Sequence, residues 1–273
     1  MGPLTAASDA MLAAAVEENL FALFRAIAML PSGEIVEGER LSYHFAFPNA
    51  PMCKGIWGSR LSADKVDNAI EQMVAWFQAK GAPFAAWWYN QNPQPANLFE
   101  RLKAHGFEQD YEAPGMAIDL ETLDESFLLS NELSIVSALD DKTLQDWVTV
   151  LCASYDMPVF AAQAWTDATK SFGAENPQWR LYVGYWQGRP VATNLLFNGA
   201  GVAGLYCVGT IPEARGKGFG KAITLKPLLD ARAEGYRYGV LFASEEGLPM
   251  YQRLGFRLVD ILIGRYMWYK EPK

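Results

Sequence analysis

Apolar residues recur every three or four positions across residues 9–30, where Leu12, Val16, Leu20, Leu23, Phe24, Ile27 and Leu30 form one stripe. That spacing predicts an amphipathic helix with Asp9 as N-cap and Pro31 as its stop. Over residues 40–61 the pattern changes to short aromatic and alternating runs around a Pro-Asn turn, which predicts an antiparallel hairpin. A second helical stripe follows, Val66, Ile70, Met73, Val74 and Phe77, opened by Ser62 or Asp64 and closed by Gly81. The run PFAAWWY then reads as a strand, ANLFERLKAHGF as a short helix ending at Gly106, and GMAIDL as another strand.

Beyond residue 133 the same order returns. SIVSAL reads as a strand, DKTLQDWVTVLCASYD and VFAAQAWTDATKSFG as helices, and RLYVGYWQGRPVATNLLF as two strands joined at Gln187-Gly188. The strand VAGLYCVGTI runs into a glycine-rich loop and a helix over residues 216–234. The strand YGVLFAS, the short helix LPMYQRLG and the apolar ending FRLVDILIGRYMWY complete the chain. PFAAWWYNQNPQPANLFERLKAHGF and YGVLFASEEGLPMYQRLGF both run strand, loop, short helix, Gly-Phe, each after a longer amphipathic helix. This suggests a duplication with a period of about 150 residues. The acidic, weakly periodic DLETLDESFLLSNEL is the expected linker, which divides the chain into residues 1–125 and 132–273.

The length of 273 residues accommodates two such domains, and 51% hydrophobic residues supply two cores. A net charge of −8 argues against a nucleic-acid partner, which needs a basic face, and leans toward a cationic small molecule. Cys53, Cys152 and Cys207 form no C-x-x-C pair, which fits neither a disulfide framework nor a zinc knuckle and implies a reducing compartment. Residues 10–30 are interrupted by Glu17, Glu18, Asn19 and Arg25, so they suit neither a signal segment nor a membrane span. The expectation is a soluble cytoplasmic protein with no membrane partner and an open oligomeric state.

The chemistry concentrates in PEARGKGFGKAI, residues 212–223. Gly216, Gly218 and Gly220 leave backbone N–H groups bare at the start of a helix, an arrangement suited to an anion. A Walker loop is excluded because Ala222 follows Gly220-Lys221 and Arg215 stands where its first glycine belongs. A dinucleotide fingerprint is excluded because Lys221 occupies the place of its third glycine.

What remains is R-x-x-G-x-G, Arg215 to Gly220, between a strand and a long helix, with YQRLGF after the next strand. This pattern resembles the GNAT superfamily of acyl-CoA-dependent N-acetyltransferases over residues 133–273. The resemblance implies an α/β (α+β) fold: two tandem GNAT-like domains, each a mixed, mostly antiparallel sheet with a splayed parallel strand pair, flanked by helices. It implies acetyl-CoA as co-substrate, a small-molecule amine as acceptor and no metal. By the same resemblance the main chain of Arg215, Gly216, Lys217, Gly218, Phe219, Gly220, Lys221 and Ala222 would hold the diphosphate, with charge from Arg215 and Lys217. Val208 and Thr210 would meet the pantetheine arm, with Cys207 and Gly209 facing elsewhere. Ser244 would stand where the strands part, and Tyr251 would protonate the departing thiolate.

A general base is not identified by the same route. The strand VAGLYCVG carries no carboxylate, and Glu245, Glu246, Asp156 or a water chain remain candidates. Pro227 should bend the helix that follows the loop. The first half lacks R-x-x-G-x-G and has Leu102 in the place of Tyr251, which suggests a degenerate, non-catalytic copy. His44 and His105 read as partly buried structural residues, and Trp57, Trp76, Trp87 and Trp88 as packing in preference to an acceptor cleft. The expected activity is acetyl transfer to a primary amine by direct attack in a ternary complex. The alternative is a non-catalytic acyl-CoA-binding sensor or scaffold.

Overall fold

The computed structural model describes residues 2–129, 132–157, 159–172 and 178–270. In chain order the elements are α1 (Asp9–Ala28), β1 (Glu34–Glu37), β2 (Ser42–Phe45), β3 (Lys54–Trp57), α2 (Val66–Ala79), β4 (Phe84–Asn90), α3 (Leu98–Ala104) and β5 (Glu108–Asp119). There follow α4 (Ser126–Leu129), β6 (Ser134–Ser137), α5 (Asp141–Ser154), α6 (Val159–Phe172), β7 (Trp179–Trp186) and β8 (Arg189–Gly199). The chain ends with β9 (Val202–Thr210), α7 (Phe219–Ala233), β10 (Tyr238–Phe242), α8 (Leu248–Leu254) and β11 (Arg257–Tyr269). Pro158, Gly173 and residues 130–131 of the expected linker lie outside the described residues.

Contacts divide the chain into two compact units, Met1–Ala22 with Gly115–Asp260, and Leu23–Pro114 with Ile261–Lys273. The sequential halves expected from the linker follow a different line. In the first unit the strands run β5, β10, β9, β8, β7, β6, and residues 115–119 of β5 pair antiparallel with β10. In the second the order is β1, β2, β3, β4, β11, and residues 263–269 of β11 pair antiparallel with β4. Each unit therefore takes one strand from the other sequential half, a long-range pairing that no local pattern encodes.

In the first unit β7, β8 and β9 form an antiparallel meander. Gln187 and Gly188 join the first two with φ of 51° and 76°, the left-handed pair that a two-residue hairpin turn needs. Strands β9 and β10 are parallel, paired through Ala203–Gly239 and Gly204–Val240, with α7 as their crossover. Asn19 on α1 is fully buried against this sheet. Its amide donates to Gly199 O at 2.8 Å and its oxygen accepts from Tyr206 Oη at 2.7 Å. Gly204 makes room for it: a Cβ there would overlap the Asn19 carboxamide.

The second unit repeats the motif in miniature. Strands β3 and β4 are parallel at Ile56 and Trp87, and α2 crosses between them. Val66, Ile70, Met73 and Phe77 of α2 pack with Trp87, Leu98, Leu102 and Phe107. The terminating bonds match across the two units. Ala82 N donates to Phe77 O as Tyr236 N does to Ala231 O, and Phe107 N donates to Leu102 O as Phe256 N does to Tyr251 O. All four follow glycines with positive φ, Gly81, Gly235, Gly106 and Gly255.

Two local expectations change, and two features add to the reading. Ser8 caps α1 through Met11 N at 3.3 Å, and Asp9 is already helical. Helix α2 begins at Val66, after a turn closed by Lys65 N to Ser62 O. Strand β1, EIVE, is acidic and mostly exposed and carries no strand signature, so its pairing with β2 alone defines it. Helix α7 contains Pro227 within its span, as the sequence placed it. No helix among the described residues is long and apolar enough to cross a membrane.

Candidate active site

The connection from β9 to α7 turns on two glycines. Gly216 and Gly218 have φ of 77° and 80°, where a Cβ clashes with its own backbone. Gly218 is the N-cap of α7. The N–H groups of the first helical turn have no carbonyl one turn earlier, and the helix dipole makes this end electropositive.

This turn walls a cavity of about 610 Å³ in the first unit. The rest of its lining comes from the end of β9, Phe127, the last turn of α5 with Tyr155, and the segment from Ser244 to Arg253. The end of β9 is reshaped by a bulge. The register with β8 passes from Leu195–Tyr206 to Thr193–Gly209, so β9 carries one residue more than its partner. Cys207 takes up the excess with φ of 52°. Thr193 Oγ1 donates to Cys207 O and Tyr155 Oη to Val208 O, both at 2.9 Å, which holds the bulge from two sides.

Of the residues carried over by resemblance, Val208, Thr210, Arg215, Gly216, Gly218, Phe219, Gly220, Lys221, Ser244 and Tyr251 line the cavity. Lys217 and Ala222 are not among its lining residues. The Lys217 ammonium stands 5.2 Å over the Trp186 ring, and Ala222 is fully buried on the inner face of α7. Gly209, expected to face elsewhere, lines the cavity, because the bulge resets the alternation of β9. Arg215 directs Nε to Thr210 O at 3.2 Å and Nη2 to Ser154 O at 3.1 Å, so its guanidinium ties the turn to β9 and α5 as well as charging the rim. Ser244 opens α8, its carbonyl accepting from Gly247 N and Leu248 N and its Oγ from Gly247 N. Tyr251 is 8% exposed, with its ring 5.7 Å from that of Phe256.

Seven lining residues were not singled out from the sequence: Phe127, Ser154, Tyr155, Ala214, Gly247, Met250 and Arg253. Arg253 lies inside YQRLGF and was legible there as a cation two residues past Tyr251. Phe127 falls in the segment read as a linker and carried no signal. The charged lining is Arg215, Lys221 and Arg253 against Glu246. Glu245 and Asp156 are not in the lining, which leaves Glu246 as the cavity's carboxylate among the candidate bases.

Among the described residues, the second unit lacks these features. Leu102, fully buried, stands where Tyr251 stands in the first. His44 is fully buried rather than partly, stacked on Phe24 at 4.5 Å, and burial lowers its pKa to about 4. Lys54, also fully buried, hydrogen-bonds Pro48 O and Ala50 O over the face of Phe84, and burial lowers its pKa to about 7. His105 pairs with Asp67 at 3.1 Å. Trp57, Trp87 and Trp88 are buried, and Trp76 packs edge-on against Tyr43 and Phe77.

Residues 136–259 match the family described as "Acetyltransferase (GNAT) domain". The chain is 27% identical over 191 residues to a mycothiol acetyltransferase of Saccharomonospora viridis, a match covering 64% of this chain and 61% of that protein. The chain thus spans under two thirds of that curated relative's length. A solved GCN5-related N-acetyltransferase from Kribbella flavida has a similar fold, with a TM-score of 0.71 at 16% identity over 94% of this chain and 96% of that one. A tandem GNAT protein from the clavulanic acid biosynthesis pathway aligns over 100% of this chain and 91% of its own, with a TM-score of 0.53 at 15% identity. The family match is thus confined to residues 136–259, under half of the chain.

Proposed function

We propose that the protein is an N-acetyltransferase that passes an acetyl group from acetyl-CoA to the primary amine of a small molecule within a ternary complex. The observation that carries this reading is the left-handed Gly216 and Gly218 turn at the N-terminus of α7, opening on a cavity that also contains the Tyr251 phenol. The residues fit the cofactor: bare main-chain donors with Arg215, Lys221 and Arg253 suit a diphosphate, and about 610 Å³ lies within the usual range for a ligand site.

When bound, the cofactor supplies the activated acyl thioester. The turn and the first N–H groups of α7 bind its diphosphate, and Val208, Gly209 and Thr210 orient the arm with their main chain. Tyr251 gives a proton to the departing sulfur, and Glu246 is the candidate to take one from the attacking amine. The degenerate copy is the unit built from Leu23–Pro114 and Ile261–Lys273, with Leu102 in the place of the phenol. The net charge of −8 favours a cationic acceptor. Calorimetric titration with acetyl-CoA, followed by thiol release with a panel of amines, tests the reading. Absence of binding heat removes it, and binding without turnover on any amine favours the sensor alternative.

A further inference from the structure

Lys217 and Lys221 stand within and just after the Gly216 and Gly218 turn, and the ammonium of each rests on an aromatic face. Lys217 Nζ lies 5.2 Å from the centroid of the Trp186 ring, and Lys221 Nζ, in the first turn of α7, lies 4.0 Å from that of Phe127. Neither is in an ion pair among the described residues, whereas Lys142 pairs with Asp146 at 2.6 Å and Lys226, further along α7, with Asp230 at 2.5 Å. The difference matters to an anion. A carboxylate fixes an ammonium and cancels its charge, but a ring face fixes it and leaves both the charge and its outward N–H donors available.

Lys221 and Phe127 both line the cavity, and both keep part of their surface accessible. Phe127 comes from α4, outside the glycine motif, in the stretch expected to be a linker. Its side chain packs against the core that includes Phe219, Ala222 and Ile223 of α7. Arg232 on α7 anchors the same stretch, with Nη1 donating to Leu120 O at 3.3 Å and Nη2 pairing with Glu125. Asp124 Oδ1 accepts from Ser126 N at 2.9 Å, so neither carboxylate just before Phe127 in the chain is paired with Lys221.

We propose that Phe127 is a positioning residue of the donor site: its ring holds the Lys221 ammonium, charge uncancelled, at the cavity wall for a phosphate of acetyl-CoA. This rests on the acetyl-CoA reading above. Calorimetric titration of the full chain with acetyl-CoA tests it through Phe127→Leu, Phe127→Tyr, Lys221→Met and the double variant of Phe127→Leu with Lys221→Met, each verified as folded by circular dichroism. Phe127→Leu keeps an apolar side chain without the ring and should weaken binding about two- to fivefold, the value of one exposed cation–π contact. Phe127→Tyr keeps the ring face and should bind as wild type does. In the Lys221→Met background, Phe127→Leu should weaken binding no further. A merely structural role lacks that coupling: leucine would then weaken binding equally with or without the ammonium, a result that overturns the proposal. Wild-type affinity in Phe127→Leu, or a loss in Phe127→Tyr as large as that in Phe127→Leu, overturns it as well. Lys221→Met changes a half-exposed side chain and must itself weaken binding, so unchanged affinity there overturns the proposal even where Phe127→Leu does not fold. If wild-type protein does not bind acetyl-CoA, the reading of the donor fails and the role of Phe127 falls with it, an outcome seen before any variant is compared.

Discussion

Asn194 on β8 compensates for Pro227 inside α7: its side-chain amide donates at 3.1 Å to Ile223 O, the carbonyl that a residue with an N–H at 227 would have bonded. Asn194 is fully buried, and its own carbonyl, opposite the β9 bulge, accepts from Trp147 Nε1 at 3.1 Å. The proline that was expected to bend the helix is thus tolerated next to the glycine turn proposed to bind the diphosphate, through a donor supplied by the sheet.

Asn194→Ala should destabilise the protein by about 1–3 kcal/mol, because Ile223 O is then left buried without a donor. Pro227→Ala restores that donor within the helix, so the loss from Asn194→Ala should shrink in its background. A double-mutant cycle by urea denaturation reads the coupling, and strictly additive effects would contradict the compensation.

Gly218 caps α7 at φ of 80°. Gly218→Glu adds both left-handed strain and a negative charge where the diphosphate is proposed to sit, so acetyl-CoA affinity should fall at least tenfold. Calorimetry on protein verified as folded by circular dichroism checks this; an unaltered dissociation constant would remove the anion site from this turn.

Tyr251→Phe keeps the ring packed on Phe256 and removes only the proton donor. The kcat should fall by about 10²-fold with acetyl-CoA affinity retained, the size expected of general-acid catalysis. Thiol release under saturating substrates is the measurement, and a wild-type kcat would exclude the phenol as acid.

Burial lowers the Lys54 amine from 10.5 to about 7. The folded state therefore binds fewer protons than the unfolded state between those values. The stabilisation is fully present above pH 10.5, declines as pH falls through that window and is lost below pH 7. Unfolding free energy should rise from pH 7 to 9.5 in wild type and lose most of that slope in Lys54→Met. Equal slopes in urea titrations of the two proteins would show that Lys54 does not titrate in this window.

A fragment of residues 132–273 lacks Asn19 and the β5 segment that pairs with β10. It should fail to give a cooperative thermal transition despite containing the whole R-x-x-G-x-G motif. A two-state melt of that fragment would show the missing pieces to be dispensable.

The amino-acid sequence by itself determined what depends on neighbours a few residues apart. Periodicity located α1, α2, α5 and α7. Glycines 81, 106, 188, 218 and 255 marked turns because only a residue without Cβ adopts φ above zero freely there. The same logic made the glycine turn at 216–218 and the cavity-lining Tyr251 readable from two short motifs. Tertiary structure alone decided which strand lies beside β4 and β10, since sheet pairing between residues more than a hundred positions apart leaves no local trace. It also decided that Gly209 faces the cavity while Lys217 does not. Ser154, Tyr155 and Phe127 join the site only because folding brings separate segments to one wall, and their hydrogen bonds and packing are set by that proximity rather than by any spacing in the chain.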